Sequence, residues 1–145
     1  MNRWLLLVYK VPNEPSAKRV YVWRKLKGMG AILLQDSVWV LPANDRTREK
    51  MQWLASEIKE MPDGIATLWD AQEVFTGQDA NLVQQFMAQV EAVYTQILAQ
   101  VERDEADLPA LSKQYQQVRS QDYFDSPVGE RVRQALLRRR EGTQE

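Results

Sequence analysis

The chain has 145 residues, a usual length for one compact domain, and its content of 44% hydrophobic and 27% charged residues argues against a disordered or membrane protein. Cysteine and histidine are absent, which excludes disulfides, thiol nucleophiles, thiolate or imidazole metal sites and every histidine-based catalytic triad. The net charge is only −1, but residues 1–35 carry seven Lys or Arg against one Glu, a net +6, whereas residues 60–110 carry one Arg against ten acidic residues, a net −9. This segregation predicts one basic and one acidic surface.

The longest apolar run, Trp4–Tyr9, is far shorter than the roughly 20 residues that a helix needs to cross a bilayer. It also begins almost at the first residue and has no small-residue cleavage site after it, so it is not typical of a signal peptide. We therefore expect a cytoplasmic protein that does not bind or span a membrane.

The same run, Trp4–Tyr9, predicts the first strand, and its continuous apolar character favours burial on both faces. A proline-containing loop follows, and a helix is predicted to begin at Ser16 and to be stopped by Gly28 and Gly30. The apolar positions of this helix recur at helical spacing and are expected to face the core: Val22, Trp23, Leu26 and Met29.

Two short apolar runs, at residues 31–35 and 37–41, predict adjacent strands or one bent hairpin. Asp36 and Ser37 lie where the first run meets the second. Because both side chains readily form hydrogen bonds with their own backbone, a turn is favoured over a polar binding site. Pro42 is expected to end the second run.

Asn44 or Asp45 is expected to cap the next helix. Its apolar positions recur every three or four residues: Thr47, Met51, Leu54, Ile58 and Met61. Ile65–Trp69 predicts one further strand, with Val74 and Phe75 as the site of a second. The order strand, helix, strand, strand, helix, strand is the ferredoxin-like βαββαβ arrangement, which we predict for residues 1–76.

Residues 77–145 carry helical patterns only. A long helix is predicted from Asp79, with an apolar seam of the coiled-coil type formed by Val83, Met87, Val90, Tyr94, Ile97 and Val101. A shorter stripe predicts a second helix that closes a helical hairpin with the first: Leu111, Tyr115 and Val118.

Ser126 and Pro127 are good starting residues for a last helix, with Arg138–Arg140 placed at its C-terminal end. The predicted fold class is therefore α+β, a ferredoxin-like sheet with a C-terminal helical extension made of a helical hairpin plus a last helix. We expect residues 77–145 to pack on the sheet, so that the chain forms one compact domain overall.

The first 42 residues contain several unusual sequence blocks in succession: Trp4-Leu-Leu-Leu-Val-Tyr, Pro15-Ser-Ala-Lys-Arg-Val, Trp23-Arg-Lys-Leu-Lys, Gly30-Ala and Leu34-Gln-Asp-Ser-Val-Trp-Val-Leu-Pro42. These blocks resemble the opening of the N-terminal domain of the ChrB family, and the segment Arg119–Gly129 is similar to the helical region at the end of that domain. ChrB proteins are regarded as chromate-responsive transcriptional regulators, commonly with a second domain after this one. The resemblance thus implies a regulatory domain in chromate resistance.

A cluster of basic residues on and before the first helix is the main candidate site: Lys10, Lys18, Arg19, Arg24, Lys25 and Lys27. No acidic residue lies between positions 18 and 27, and such a surface is suited to neutralise the phosphates of DNA or of another polyanion. The residues leave open a second interpretation, in which the cations only keep an aromatic-rich helix in solution. A small oxyanion such as chromate is a further candidate ligand for Arg, Lys and backbone donors at the start of this helix.

Five tryptophans suggest a stacking platform, but four of them lie on predicted strands or on the core side of a helix, where burial is the commoner outcome: Trp4, Trp23, Trp39 and Trp69. Trp53 lies away from the apolar stripe of its helix. It is the tryptophan that we expect to be exposed or in an interface.

Two alternatives to DNA binding belong to other classes of function. The first is a protein-interaction or dimerisation module without nucleic-acid binding, in which the sheet edge and the seam Val83–Val101 form a homodimer. The second is a metal-dependent nuclease, because the succession of strand, helix, strand and strand also resembles the dimeric ferredoxin-like protein of CRISPR adaptation complexes and a domain of phenylacetate-degradation repressors. Those CRISPR relatives often have a metal-binding acid just after the first strand, where this chain has Tyr9 and Lys10, and a charged lysine repels a cation.

Two acidic clusters have the ligand type that hard cations prefer: Asp70 with Glu73, and Asp104 with Glu105 and Asp107. Neither has the spacing of a calcium loop, so solvated charge is the favoured interpretation. We accordingly predict no enzymatic activity, no cofactor and no bound metal.

Overall fold

The computed structural model describes residues 2–13 and 16–144, without the side chains at positions 76, 143 and 144. The described residues form two compact units, and the boundary between them falls between Asn81 and Leu82. We call them the sheet unit and the helical unit. The sequence placed the corresponding boundary five residues earlier, at residue 76, and the packing of the helical extension on the sheet stays a prediction.

The sheet unit contains four strands and two helices in the predicted βαββαβ order. Their bounds are β1 (Arg3–Lys10), α1 (Ser16–Gly28), β2 (Ile32–Gln35), β3 (Val38–Pro42), α2 (Asp45–Glu60) and β4 (Ile65–Gln72). The sheet is antiparallel throughout, in the order β2-β3-β1-β4. Both the element order and the strand order are ferredoxin-like, which confirms the predicted fold class.

β1 is a central strand, which explains its continuous apolar sequence. Leu7 lies opposite Trp39 of β3 on one side and opposite Leu68 of β4 on the other. Leu5 and Leu7 are fully buried, and Trp4, on the opposite face, is almost so. On that face Leu6 is only half-buried and Val8 is exposed, so the predicted burial on both faces is wrong beyond Trp4. β2 and β4 are left as the edges of the sheet.

α1 ends in a glycine-dependent cap. Gly30 has a φ of 80°, in the left-handed region that favours glycine. Its N–H donates to the carbonyl of Lys27, and the N–H of Ala31 donates to the carbonyl of Leu26. This pair of bonds is a Schellman motif, and it satisfies carbonyls that the end of the helix would otherwise leave without a donor.

α2 begins with a reciprocal cap between Asn44 and Thr47. The side-chain oxygen of Asn44 accepts from the N–H of Thr47 at 2.8 Å, and the Thr47 hydroxyl oxygen accepts from the N–H of Asn44 at 3.0 Å. The predicted apolar stripe is buried from Thr47 to Ile58, while Met61 caps the end of the helix. Asn44, the first of the two predicted caps, is thus the one used.

The connections around the sheet correct one prediction and confirm another. Asp36 and Ser37 form the turn between β2 and β3, as expected, with Asp36 in the left-handed region at a φ of 40°. The second strand expected at Val74 and Phe75 is wrong, since both residues are exposed and lie outside any strand. β4 ends at Gln72, opposite Arg3 at the start of β1, so the pairing of these two strands stops before Val74 and Phe75.

The helical unit is built from α3 (Thr76–Val101), which begins in the sheet unit, α4 (Leu108–Arg119) and α5 (Pro127–Gln144). Its core contains the second half of the predicted seam together with the predicted stripe of α4 and one side of α5: Val90, Tyr94, Ile97, Val101, Leu111, Tyr115, Val118, Val132, Ala135 and Leu136. The first half of the seam is wrong, because Leu82 and Phe86 are buried while Val83 and Met87 are only half-buried. Buried positions spaced by four follow a straight helix rather than the 3.5-residue repeat of a coiled coil.

Since Val90–Val101 of the seam packs within the chain, that part of the proposed dimer surface is occupied by α4 and α5. α5 also runs on to Gln144, so Arg138–Arg140 precede its last turn instead of ending it. Among the helices that the structure describes, none combines the length and the apolar character needed to span a membrane.

Candidate nucleic-acid interface

The predicted basic residues lie on α1 and at the end of β1, and the structure divides them between two hollows. Arg24 and Lys25 line a groove between α1 and α2, whereas Lys10 and Arg19 line a second hollow near the start of α1. Lys18 and Lys27 belong to neither of these hollows. Five of the six side chains are exposed and Lys18 is half-buried, so α1 turns its charges to solvent as expected.

The groove between α1 and α2, which we call the basic groove, has a volume of about 430 Å³. Arg24 and Lys25 lie on its α1 wall, and Lys50 and Trp53 lie on its α2 wall. Helical geometry explains the placement, because Lys50 and Trp53 are three residues apart and therefore share one side of α2. With Tyr21, which also lines it, the groove combines three cations with two aromatic rings.

The charge balance of the basic groove favours an anion. Its described lining residues include the cations Arg24, Lys25 and Lys50 but a single carboxylate, Glu57, which accepts a hydrogen bond from the Tyr21 hydroxyl. This hydrogen bond is the main reason that the pKa of Tyr21 is raised. The pKa of Lys50 is lowered, first by partial burial and then by repulsion from nearby Arg46. An anion beside Lys50 would stabilise its charged form and oppose that shift.

Aromatic side chains accompany the cations along this surface. Trp53 is 67% exposed, which confirms the sequence prediction for it. The ammonium nitrogens of Lys25 and Lys27 lie 5.5 Å and 5.9 Å from the ring centroids of Tyr21 and Trp23, respectively. Exposed rings beside cations are the combination on which single-stranded bases stack.

Two of the four tryptophans expected in the core are exposed instead. Trp4 and Trp39 are buried as predicted, but Trp23 is 51% and Trp69 is 57% exposed. Trp23 is one position from Val22, the actual core residue, and that step turns it by about 100° around the helix axis. Trp69 lies on the edge strand β4, on the face of the sheet that it shares with the exposed Val8 of β1.

Sequence reasoning missed the α2 wall of the basic groove. Lys50, Trp53 and Glu57 follow one another at intervals of three and four, which is a second stripe beside the buried stripe of α2. That spacing was readable in the sequence. The sequence does not show, however, that this stripe lines the same groove as Arg24 and Lys25 of α1.

One residue of each acidic cluster is hydrogen-bonded within the chain, whereas the sequence favoured solvated charge for both clusters. Asp70 accepts from Arg3 Nε at 2.8 Å and from Arg48 Nη2 at 2.6 Å, and these hydrogen bonds lower its pKa. Asp107 accepts from the N–H of Ala110 and caps α4. Within residues 2–13 and 16–144, no group of three or more acidic side chains is placed to hold one metal ion.

The motif before α5 is also structural. Asp122 is buried and accepts hydrogen bonds from the Tyr94 hydroxyl at 2.9 Å and from the N–H of Ser126 at 3.1 Å. Tyr123 and Phe124 each contact the ring of Phe86. These contacts of Asp122, Tyr123 and Phe124 fix the entry to α5.

A protein-family model described as "Protein ChrB, N-terminal" matches residues 19–108, well over half of the chain. The chain belongs to the ChrB N-terminal domain family. The match begins at Arg19, so it includes most of α1, all of α2 and both walls of the basic groove. It does not extend to Arg119–Gly129, the last of the segments that resemble this family.

Two individual proteins are similar to the chain. Protein ChrB of Cupriavidus metallidurans is 33% identical over 78 residues, which are 54% of this chain and 24% of that protein, so the similarity spans about a quarter of the relative's length. The solved structure of the uncharacterized protein Rv0674 from Mycobacterium tuberculosis matches with a TM-score of 0.53 and 13% identity, covering 100% of this chain and 64% of that one. The second likeness concerns the fold alone.

Proposed function

We propose that this domain is a regulatory module of chromate resistance that binds DNA, or another polyanion, through the basic groove. Membership of the ChrB N-terminal family supports the regulatory role. The binding proposal rests on one observation: a single groove is lined by Arg24 and Lys25 of α1 and by Lys50 and the exposed Trp53 of α2. Chromate, or a related oxyanion, as a ligand of this chain stays a prediction.

The proposed binding depends chiefly on charge. Each phosphate that Arg24, Lys25 or Lys50 neutralises releases condensed counterions, so the affinity should fall steeply as salt rises. These contacts position the nucleic acid without reading its sequence, because phosphates are alike in every sequence. Trp53 adds a ring on which an unpaired base can stack.

Charge reversal in the groove tests this proposal. The anisotropy of a fluorescently labelled DNA duplex is measured with the wild type and with Arg24→Glu/Lys25→Glu, at low and at moderate salt. We expect the wild type to bind at low salt, and the double variant to bind at least about a hundredfold more weakly, since two charged contacts are each worth about 1.5–3 kcal/mol.

The matched control is Arg131→Glu/Arg138→Glu, which makes the same change of charge at two exposed positions of α5. Its affinity for the duplex should stay within a few-fold of the wild type. Absence of binding by the wild type at low salt, or equal losses in the two double variants, would contradict the proposal.

Self-association is a second candidate function, and the exposed edge strand β4 favours it. Ile65 and Trp69 are both more than half exposed. They lie on the same face of β4, and the exposed Val8 of β1 lies on that face too. Exposed apolar edges are a common route to pairing between chains. We propose a homodimer through this surface, which is the sheet-edge part of the predicted interface.

Sedimentation velocity over a hundredfold range of protein concentration tests the dimer. We expect the wild type to dimerise and Trp69→Lys to remain monomeric, because a charge would be buried at the interface. Trp53→Lys, an equally exposed tryptophan outside β4, serves as the control and should still dimerise. A wild-type monomer at every concentration would contradict self-association and would leave DNA binding to its own test.

A further inference from the structure

The second hollow of the sheet unit has a volume of about 590 Å³ and lies where the end of β1, the start of α1 and the turn between β2 and β3 come together. Lys10 and Arg19 contribute two cations to its lining. Trp39 forms part of its wall from β3. We call this hollow the β1–α1 pocket.

Trp39, a lining residue of the β1–α1 pocket, carries a buried donor that is unsatisfied among the residues that the structure describes. Its side chain is 3% exposed, and among the residues that the structure describes, none accepts a hydrogen bond from its buried indole N–H. Leaving such a donor without an acceptor costs about 1–3 kcal/mol, so a buried indole usually has a partner. An acceptor that enters from the pocket would remove this cost.

Two features of the pocket favour a negatively charged acceptor, and one opposes it. Lys10 and Arg19 supply positive charge and N–H donors at its rim. Ser16, the first residue of α1, also lines it, and the first turn of a helix has backbone N–H groups without intrahelical acceptors. Asp36, in the β2–β3 turn, carries a negative charge that would repel an anion. The charged side chains of the described lining are therefore two cations and one anion.

We propose that the β1–α1 pocket binds a phosphate-like tetrahedral oxyanion, with the Trp39 indole N–H as a buried donor and with Lys10 and Arg19 as its charged partners. The two cationic side chains are long and exposed, so they can move to admit the ion and then close over it. The inference goes beyond the proposed function, because a free ion can occupy this pocket whether or not DNA binds the basic groove.

The indole N–H of Trp39 provides a direct readout. In ¹⁵N–¹H correlation spectra, the resonance that is lost in Trp39→Phe identifies this group, and inorganic phosphate is then titrated at constant ionic strength. We expect a saturable downfield shift of this resonance, as a new hydrogen bond forms at the indole. Chloride at the same ionic strength should leave it unchanged. A resonance that phosphate does not move, or that chloride moves equally, would overturn the proposal.

Variants at the rim test the charged partners without disturbing the core. Lys10→Gln and Arg19→Gln should each weaken phosphate binding about tenfold, which corresponds to the loss of one charge-assisted hydrogen bond. Asp36→Asn should strengthen it several-fold, because it removes the opposing charge while asparagine tolerates the left-handed conformation of this turn. Affinities that are the same in all three variants as in the wild type would contradict the assignment, whatever the behaviour of Trp39→Phe.

A DNA duplex as a second titrant separates the two sources of the phosphate group. If the site also accepts backbone phosphates, the duplex will shift the Trp39 resonance and inorganic phosphate will compete; if it takes free ions only, phosphate alone will shift it. Both results support the pocket. The variant Arg24→Glu/Lys25→Glu keeps the test independent of the basic groove, since it should lose DNA binding while keeping the phosphate-dependent shift of Trp39.

Discussion

At the scale of single residues, Gly129 in the first turns of α5 occupies a position that leaves no room for a side chain. A Cβ atom there would lie 2.8 Å from Cζ of Tyr94, which is fully buried in the core of the helical unit. We expect Gly129→Ala to lower the free energy of unfolding by about 1–3 kcal/mol, because the ring cannot move without disturbing the core. Gly142→Ala is the control in the same helix, where a Cβ atom meets nothing within 4 Å. Urea denaturation measures both, and equal stability of the two variants would contradict the close approach.

Asp79 makes a pH-dependent contribution to stability. It accepts from Trp4 Nε1 at 2.8 Å and from Asn2 Nδ2 at 3.1 Å, and the bond from Trp4 is the main reason that its pKa is lowered. A carboxylate with a lowered pKa stabilises the fold above its ordinary pKa of about 4, and this stabilisation is lost as the pH falls through the lowered value. Asp79→Asn should therefore be less stable than the wild type at pH 6, with the difference shrinking towards pH 3. Denaturation curves across this range provide the measurement, and a difference independent of pH would count against the role of the charge.

Burial of individual residues was only partly predictable from the sequence. The exposure of Trp53 follows from its position off the apolar stripe of its helix. Trp23 and Trp69 were placed wrongly, because a large aromatic residue next to a stripe or on a strand suggests burial unless the edge of the structure is known. Whether a residue lies at that edge is decided by strand order and helix rotation, which single positions do not encode.

At the scale of elements, the start of α2 depends on the reciprocal bonds between Asn44 and Thr47. Removal of the cap should cost about 1 kcal/mol, so Asn44→Ala is expected to lower the unfolding free energy by that amount. Gln52→Ala, at an exposed position inside the same helix, should change it by no more than about 0.5 kcal/mol. Thermal or urea unfolding distinguishes the two. Equal changes in the unfolding free energy for both substitutions would contradict a stabilising role of the cap.

The elements of the sheet unit were predicted closely because each has a local signal. The apolar run of β1, Gly30 after α1 and the cap before α2 all act within a few residues of the boundaries they set. α3 was predicted less well, since its seam was judged by a heptad repeat and its first turns follow a different spacing. Leu82 and Phe86 are buried instead of Val83 and Met87, and Phe86 contacts rings from the loop before α5, nearly forty residues away.

At the scale of the whole molecule, the element order was sufficient to predict the ferredoxin-like sheet, because few topologies accommodate two split βαβ halves. The candidate site was predicted only in part. Arg24 and Lys25 were recognised from the density of charge on α1, whereas Lys50 joins them only because α1 and α2 lie side by side in the fold. The unsatisfied N–H of Trp39 could not be predicted either, since a sequence does not show which buried donors lack acceptors.

The salt dependence of DNA binding by Lys50→Gln tests most directly whether the basic groove is the binding site. Lys50 is the groove cation that lies outside the predicted cluster, and Lys113→Gln on α4 is the matched control. The slope of log K against log salt concentration should become shallower by about 0.9 in Lys50→Gln, the value expected for one lost phosphate contact on duplex DNA. The control should keep the wild-type slope. If Lys50→Gln also keeps the wild-type slope and affinity, the nucleic acid does not occupy the groove, and the central claim is wrong.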